Sequence, residues 1–525
     1  MSFVLQLFRR NAWFLPLALV ACDPDAEGTS GGTDATTVGV GGGTTVSTGP
    51  AGGGGAGTGA GGQGGEGGEG GAPPLPEEWF LRFTEVGLAA ADVVEVAARS
   101  DGSTVVIGTF ASDGTGQIDF GTGPILPEQT DVFVLALDPF GQTQWVLTLG
   151  HEGDEMLYPR VRTNDLGEVY LAFIASGPVS FGDGPIPVVD DGDVILAKLD
   201  AGGNYLWSSR LGSIGAFDSL TAFDVSPDGH VAIGVFYQTS WMLQGVPIQA
   251  VGANGVASSA VFVFDTDGDF QSHRVMEFHP SGGGPTIHAC TVEDDGSTTV
   301  AGPYGASVAD PPLPPLAQDV GQRGYVARFA PDGSTQWSMS FGDSGMVYLG
   351  FLEKTTLGGG HWIAGYLGQT GSIDFGEGPV SQGGAQDVYL ARIDQTGQFV
   401  MGTVFPAIQG GAGFTSLSST SADGVLLAGV LGDSVDFGGG FLLGQGGGVR
   451  TGFGAAFDAA GDHLWSAALE TNTESWLRSL VESPQGDLRF GGIFTDEITF
   501  DNTDITQNGM WGDGFVGRWA AYPPF

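Results

Sequence analysis

Acidic side chains supply most of the groups in this sequence that could do chemistry: 60 Asp plus Glu stand against 17 Lys plus Arg, a formal charge of −43 at pH 7. Four of them share a spacing. Asp92, Asp154, Asp218 and Glu474 each precede a turn by about ten positions, in segments that carry the chain from one strand group to the next. If the groups form a ring, these acids gather at one mouth of it, and the expected chemistry is attraction of a cation or docking of a partner. The plain alternative is a solvated loop face. Asp265, Asp267 and Asp269 (DTDGD) have the alternation of a calcium loop, but the later glutamate ligand is missing, and other units fill the same place with DPFGQ, DAAGD or DQTGQ. The expectation there is a hairpin turn. No cofactor is expected, with calcium at the acidic mouth left open.

Other reactive patterns fall away on inspection. Of the seven histidines only His273, His279 and His288 cluster, and their spacings give no shared face for zinc. The Asp-Phe-Gly of residues 119–121 and 374–376 lacks a glycine-rich phosphate loop and a strand lysine, and its recurrence marks a turn. No G-x-S-x-G nucleophile motif occurs, and Lys198 and Lys354 are the only lysines. A chain this acidic has no basic footprint for nucleic acid. No catalytic residue is assigned.

The elements that must hold these groups repeat. A glycine turn leads into an aromatic-bearing strand at Gly141–Trp145, Gly203–Trp207, Gly333–Trp337 and Gly461–Trp465, with degenerate copies at Gly268 and Gly397. The fourth residue after each glycine recurs at steps of 62 to 65 positions. Before each turn stands an apolar or alternating run, such as DVFVLALD at 131–138 or DVILAKLD at 193–200, which predicts a strand. Asp-Gly turns open further strands at Asp101, Asp228, Asp295 and Asp423, and IDFG-type segments mark a short excursion in most units. With 94 glycines and 28 prolines, the composition favours turns over long helices.

Each landmark is counted about seven times, and four antiparallel strands per unit is the plan of a β-propeller. The last copy ends without its aromatic-led strand, whereas Trp79–Phe83 at the start supplies one, a single repeat period ahead of Trp145. The fold class expected is therefore all-β: one seven-bladed propeller over residues 77–525, closed by its N-terminal strand, with an open β-solenoid as the alternative. The units resemble the bacterial β-propeller repeat of large extracellular and lipoprotein chains, with its DG-V-V-x-G-x-F, DFG and D-x-F-V-A-K-L-D-x-x-G-x-x-x-W segments. That resemblance implies a fold and an extracytoplasmic setting but no defined activity.

Ahead of the repeat, residues 1–21 carry Arg9 and Arg10 and then an apolar run from Ala12 to Ala21, the layout of a signal peptide. Leu19-Val20-Ala21-Cys22 resembles the lipobox of bacterial lipoproteins, which implies lipidation at Cys22 and a mature chain anchored in the cell envelope, periplasmic or at the cell surface. An ordinary signal peptide with a chance cysteine is the other reading. Residues 22–76, rich in Gly, Ser, Thr and Ala, cannot build a core and form a tether with a reach of roughly 40 Å. Cys290 is left without a partner in the chain and is expected to be a small buried residue. Together these features point to a monomeric, membrane-anchored, non-enzymatic module that binds an unidentified protein or glycan. The alternatives are a carbohydrate-active propeller enzyme and a calcium-dependent adhesin.

Overall fold

The computed structural model describes residues 78–520, apart from short connecting stretches of which 306–319 is the longest. Cys22 and the tether up to residue 76 lie outside the described residues. Every helix or strand among the described residues is a strand, and no described helix is long and apolar enough to cross a membrane.

The strands assemble in chain order into four-stranded antiparallel groups, here sheets 1 to 7. Five are separate, and sheets 4 and 5 merge into an eight-stranded one through a short parallel pairing of Val320–Phe329 with Gly345–Lys354. Sheet 1 runs Ala89–Ala98, Thr104–Ser112, Thr130–Leu137 and Thr143–Leu149. The first strands of sheets 2 to 7 are Met156–Thr163, Ser219–Val225, Ala289–Val292, Gly345–Lys354, Ala412–Ser419 and Ser475–Glu482. Among the described residues no sheet closes on itself.

Burial explains the sequence pattern. Thr130–Leu137, Asp193–Leu199, Ser258–Phe264 and Thr451–Phe457 are buried at every position, because both faces of these third strands are covered by neighbouring sheets. Hence they are continuous apolar runs rather than strict alternations. The fourth strands, such as Tyr205–Leu211, alternate between half-buried and exposed residues at their start. The IDFG segments form small outer hairpins: Asp119 Oδ1 accepts from the amides of Gly121 and Gly123 at 2.7 and 3.0 Å, and Asp374 repeats the pattern at 2.7 and 2.9 Å.

Between third and fourth strands the turn aspartates do the same work. Asp138 Oδ1 accepts from the amides of Phe140 and Gln142 at 2.9 and 2.8 Å, and Asp200, Asp394 and Asp458 act alike. Asp265 accepts from Asp267 N at 3.1 Å and Asp269 N at 2.9 Å, which makes DTDGD a side-chain-capped turn. The glycine of each turn has positive φ, +80° at Gly141 and +83° at Gly203, and a second requirement adds to this one. A Cβ on Gly141 would lie 2.8 Å from the Trp79 ring, and one on Gly203 would lie 2.8 Å from the Trp145 ring. Trp79 and Trp145 therefore pack against the turn of the following sheet, not against the turn of their own. Trp79 Nε1 donates to Pro139 O at 3.1 Å, Trp145 Nε1 to Ala201 O at 3.2 Å and Trp337 Nε1 to Gln395 O at 2.9 Å. Trp207 covers Gly268 and Met401 covers Gly461, but between sheets 3 and 4 the place is taken by Ser272 and the clasp is missing.

Each sheet packs through its first strand on the sheet before it, and the first strand of sheet 1 packs on sheet 7. Trp79–Arg82 is the fourth strand of sheet 7, antiparallel to Asp513–Trp519, with Trp79 opposite Arg518 and Arg82 opposite Phe515. A buried network crosses the same junction. Asp487 pairs with both Arg489 and Arg518, the latter at 2.7 Å, while Arg489 donates to Thr104 Oγ1 at 2.8 Å and Gly102 O at 2.9 Å in sheet 1.

A candidate site among the first strands

The first strand of each sheet has only one neighbour in its own sheet, so its other edge carries backbone groups that must find partners elsewhere. They find them on the adjacent sheet. Val96 N donates to Ser479 Oγ at 3.2 Å, Val161 N to Glu95 Oε2 at 2.8 Å and Val292 N to Asp224 Oδ2 at 2.9 Å. Carbonyls are covered likewise: Ala98 O by Thr163 Oγ1 at 3.0 Å and Leu480 O by Ser418 Oγ at 2.7 Å. Several of these strands also bulge at one level, where Val94, Thr221, Gly350, Thr415 and Arg478 fall out of register.

A cavity of about 100 Å³ lies at that level, and residues from all seven sheets line it. Its charged groups are mostly committed. Arg162 pairs with Glu95 at 2.5 Å and approaches Asp224 at 3.8 Å, Lys354 lies 3.6 Å from Asp224, and Arg478 holds Asp92 at 2.8 Å. Glu353 differs. Its Oε1 accepts only from Ser419 Oγ at 3.2 Å, and burial, with Asp224 adding to it against Arg162 and Lys354, raises its pKa to about 7. Arg160, also on the cavity wall, is exposed, and its side chain has no hydrogen bond or ion pair among the described residues.

Two other lining groups are chemically quiet. His288 contacts Tyr348 and Thr286 through its ring nitrogens, and burial lowers its pKa to about 4, so the ring is neutral. Cys290 is a buried free thiol whose pKa burial pushes up, and its Sγ–H points to Ala232 O at 3.6 Å.

The sequence-derived candidates separate in space and exposure. Asp92 is 3% exposed beneath Arg478. Asp218 is fully buried, accepts from Ser213 N at 2.6 Å and Ser213 Oγ at 2.9 Å, and has a pKa raised to about 6, chiefly by burial. Glu474 is exposed. Asp154, like Cys22, lies outside the described residues. Asp92 and Asp218 are thus internal structural acids and present no charge to solvent, because the loops and strand edges around them need acceptors. His273 stacks on Phe262 at 5.7 Å, His279 lies outside the described residues, and among the described residues no group of three or more His, Cys, Asp or Glu is placed to hold a metal ion.

Sequence reasoning missed Arg160, Arg162, Glu353, Lys354 and Arg478. One signal was present: counted back from their turns, these positions carry charges in only some units and small or apolar residues in the others, as with Ala97, Arg162, Asp224, Thr291, Glu353, Ser418 and Val481, of which three are charged.

No family model matches the chain, and no curated protein sequence matches it. Among solved structures it is similar to a protein of unknown function from Dyadobacter fermentans DSM 18053, at 12% identity over 70% of this chain and 95% of that one, with a TM-score of 0.37. It is also similar to the phage phi92 endosialidase, at 9% identity over 85% of this chain and 70% of that one, TM-score 0.37. A third is YCF48 bound to D1 peptide, at 12% identity over 68% and 96%, TM-score 0.31. Similarities this distant carry no functional inference.

Proposed function

We propose that the chain is a seven-bladed β-propeller closed by its N-terminal strand, held in the bacterial cell envelope by a lipid on Cys22 and lifted from the membrane by the Gly-rich tether, and that it serves as a non-enzymatic binding or scaffold module for a protein or glycan. The supports for the ring are the seven four-stranded groups, their packing in chain order, and the pairing of Trp79–Arg82 with Asp513–Trp519. The signal-like segment and lipobox resemblance support the anchor.

One observation carries the non-enzymatic reading: Asp92, Glu95 and Asp224 are spent on arginine, lysine or backbone amides, which leaves Glu353 without a second free carboxyl group beside the cavity. Glycoside hydrolysis needs two carboxyl groups roughly 5 to 10 Å apart facing bound substrate. The outer faces and hairpins are left as the docking surfaces.

A glycan array and an envelope-protein pull-down with residues 77–525 test this role, and specific retention of one partner by the folded fragment is expected. Release of sugar from a retained glycan would overturn the non-enzymatic reading. For the anchor, fatty-acid labelling and membrane fractionation of the full chain should be lost in Cys22→Ala; unchanged labelling would remove Cys22 as the attachment point.

A further inference from the structure

The channel cavity holds a charge arrangement that no strand-capping role accounts for. Four cations, Arg160, Arg162, Lys354 and Arg478, face it or its walls, against the carboxylates of Asp92, Glu95, Asp224 and Glu353. Three cations are matched with three carboxylates by the contacts above. Arg160 and Glu353 remain, on sheets 2 and 5, each without an ionic partner within salt-bridge distance. Alongside them the Thr221 hydroxyl is buried and without a hydrogen-bond partner.

From this geometry we propose that the cavity is a binding site for a small monocarboxylate, held by the Arg160 guanidinium, with Glu353, which lines the same cavity, as the group that takes up a proton when the anion enters. A guanidinium presents paired N–H donors in a fork that matches a carboxylate. The charge balance selects a monoanion: one negative charge on Arg160 with Glu353 protonated leaves the eight groups and ligand neutral, whereas a phosphate dianion leaves an excess negative charge in a partly desolvated space. A cavity of about 100 Å³ has room for a molecule the size of acetate. The groups facing Glu353 are Asp224, Arg162 and Lys354, with Ser419 as its hydrogen-bond donor; His288 and Cys290 stay neutral and do not compete for the proton. This site is independent of whatever docks on the outer surface.

The test is calorimetric titration of the full-length chain with acetate, inorganic phosphate and sodium chloride at matched ionic strength, at pH 7.5 in two buffers of different ionisation enthalpy. The expected result is saturable acetate binding with net proton uptake, weaker binding of phosphate, and no saturable response to chloride. Arg160→Gln should weaken acetate binding at least tenfold, and Arg160→Lys should weaken it less. Glu353→Gln should keep acetate binding and abolish proton uptake. No saturable acetate binding to the wild-type chain, equal affinity in Arg160→Gln, or phosphate binding as tightly as acetate would overturn the proposal. Circular dichroism of each variant separates loss of the site from loss of the fold.

Discussion

Two regions of the molecule use side chains in opposite ways. At the turns between third and fourth strands, one device recurs from sheet to sheet: a turn aspartate caps two amides, a glycine at positive φ leaves room, and a tryptophan from the preceding sheet covers that glycine. Around the cavity, equivalent positions differ from sheet to sheet: the one that holds Arg162, Asp224 and Glu353 in three sheets holds Ala97, Thr291, Ser418 and Val481 in the other four. Repetition marks what joins the sheets, and departure from repetition marks what can act on something else. The regular belt also has a gap, the seam of sheets 3 and 4, where Ser272 replaces tryptophan.

Substitutions in the belt and its closure should therefore cost stability, and those in the channel should not. The largest effect is expected for Asp487→Ala, which strands Arg489 and Arg518 in a buried site at the junction of sheets 7 and 1; a loss of about 3–5 kcal/mol in denaturant unfolding is expected. Trp207→Ala removes a half-buried clasp and should cost about 2–3 kcal/mol, less than a fully buried tryptophan. Gly203→Ala meets both the positive φ and the Trp145 ring and should cost about 1–3 kcal/mol. A loss in either belt variant no larger than that of an ordinary surface substitution would break the comparison.

Glu353→Gln probes the channel through pH. The folded-state pKa of Glu353 lies near 7, above the ordinary glutamate value, so its contribution is full below that ordinary value and is lost as pH rises towards 7. The wild-type chain should lose stability across that window relative to Glu353→Gln; parallel curves for the two proteins would contradict the assigned environment. Asp218, with its pKa raised to about 6, acts in the same direction and persists in both proteins. The smallest effect is expected for Arg160→Gln, whose side chain contacts no described partner: its unfolding free energy should stay within about 0.5 kcal/mol of wild type.

The strands, the turns and the spacing of the Trp and Gly landmarks were legible because each is a local signal: an apolar run, an Asp-Gly pair, a fixed period. The partner of each tryptophan was not. The repeat period is consistent with Trp145 covering either Gly141 or Gly203, and only the stacking of sheets selects the latter. The acid positions misled for a related reason. Asp92 and Asp218 have the spacing of mouth residues, but the sequence does not show that Arg478 and Ser213 take up their charge. Arg160 and Glu353 were hidden because the repeat does not fix the residue type there: the equivalent positions hold Glu95 and Arg162 in other units, and a charge in a β-strand gives no local sign of which groups it faces.

The proposed closure of the propeller rests on the junction of the two ends of the described chain. There Leu81 lies directly opposite Val516 in the antiparallel pair of the first and last strands. With Leu81→Cys and Val516→Cys in a Cys22→Ser chain, where Cys290 is buried, oxidation should form an intramolecular disulfide that closes most of the chain into a loop and shifts its migration on a denaturing gel. A high yield of that species at low protein concentration is the expected result. Free thiols at both positions in the folded protein, or only intermolecular dimers, would contradict closure by the N-terminal strand.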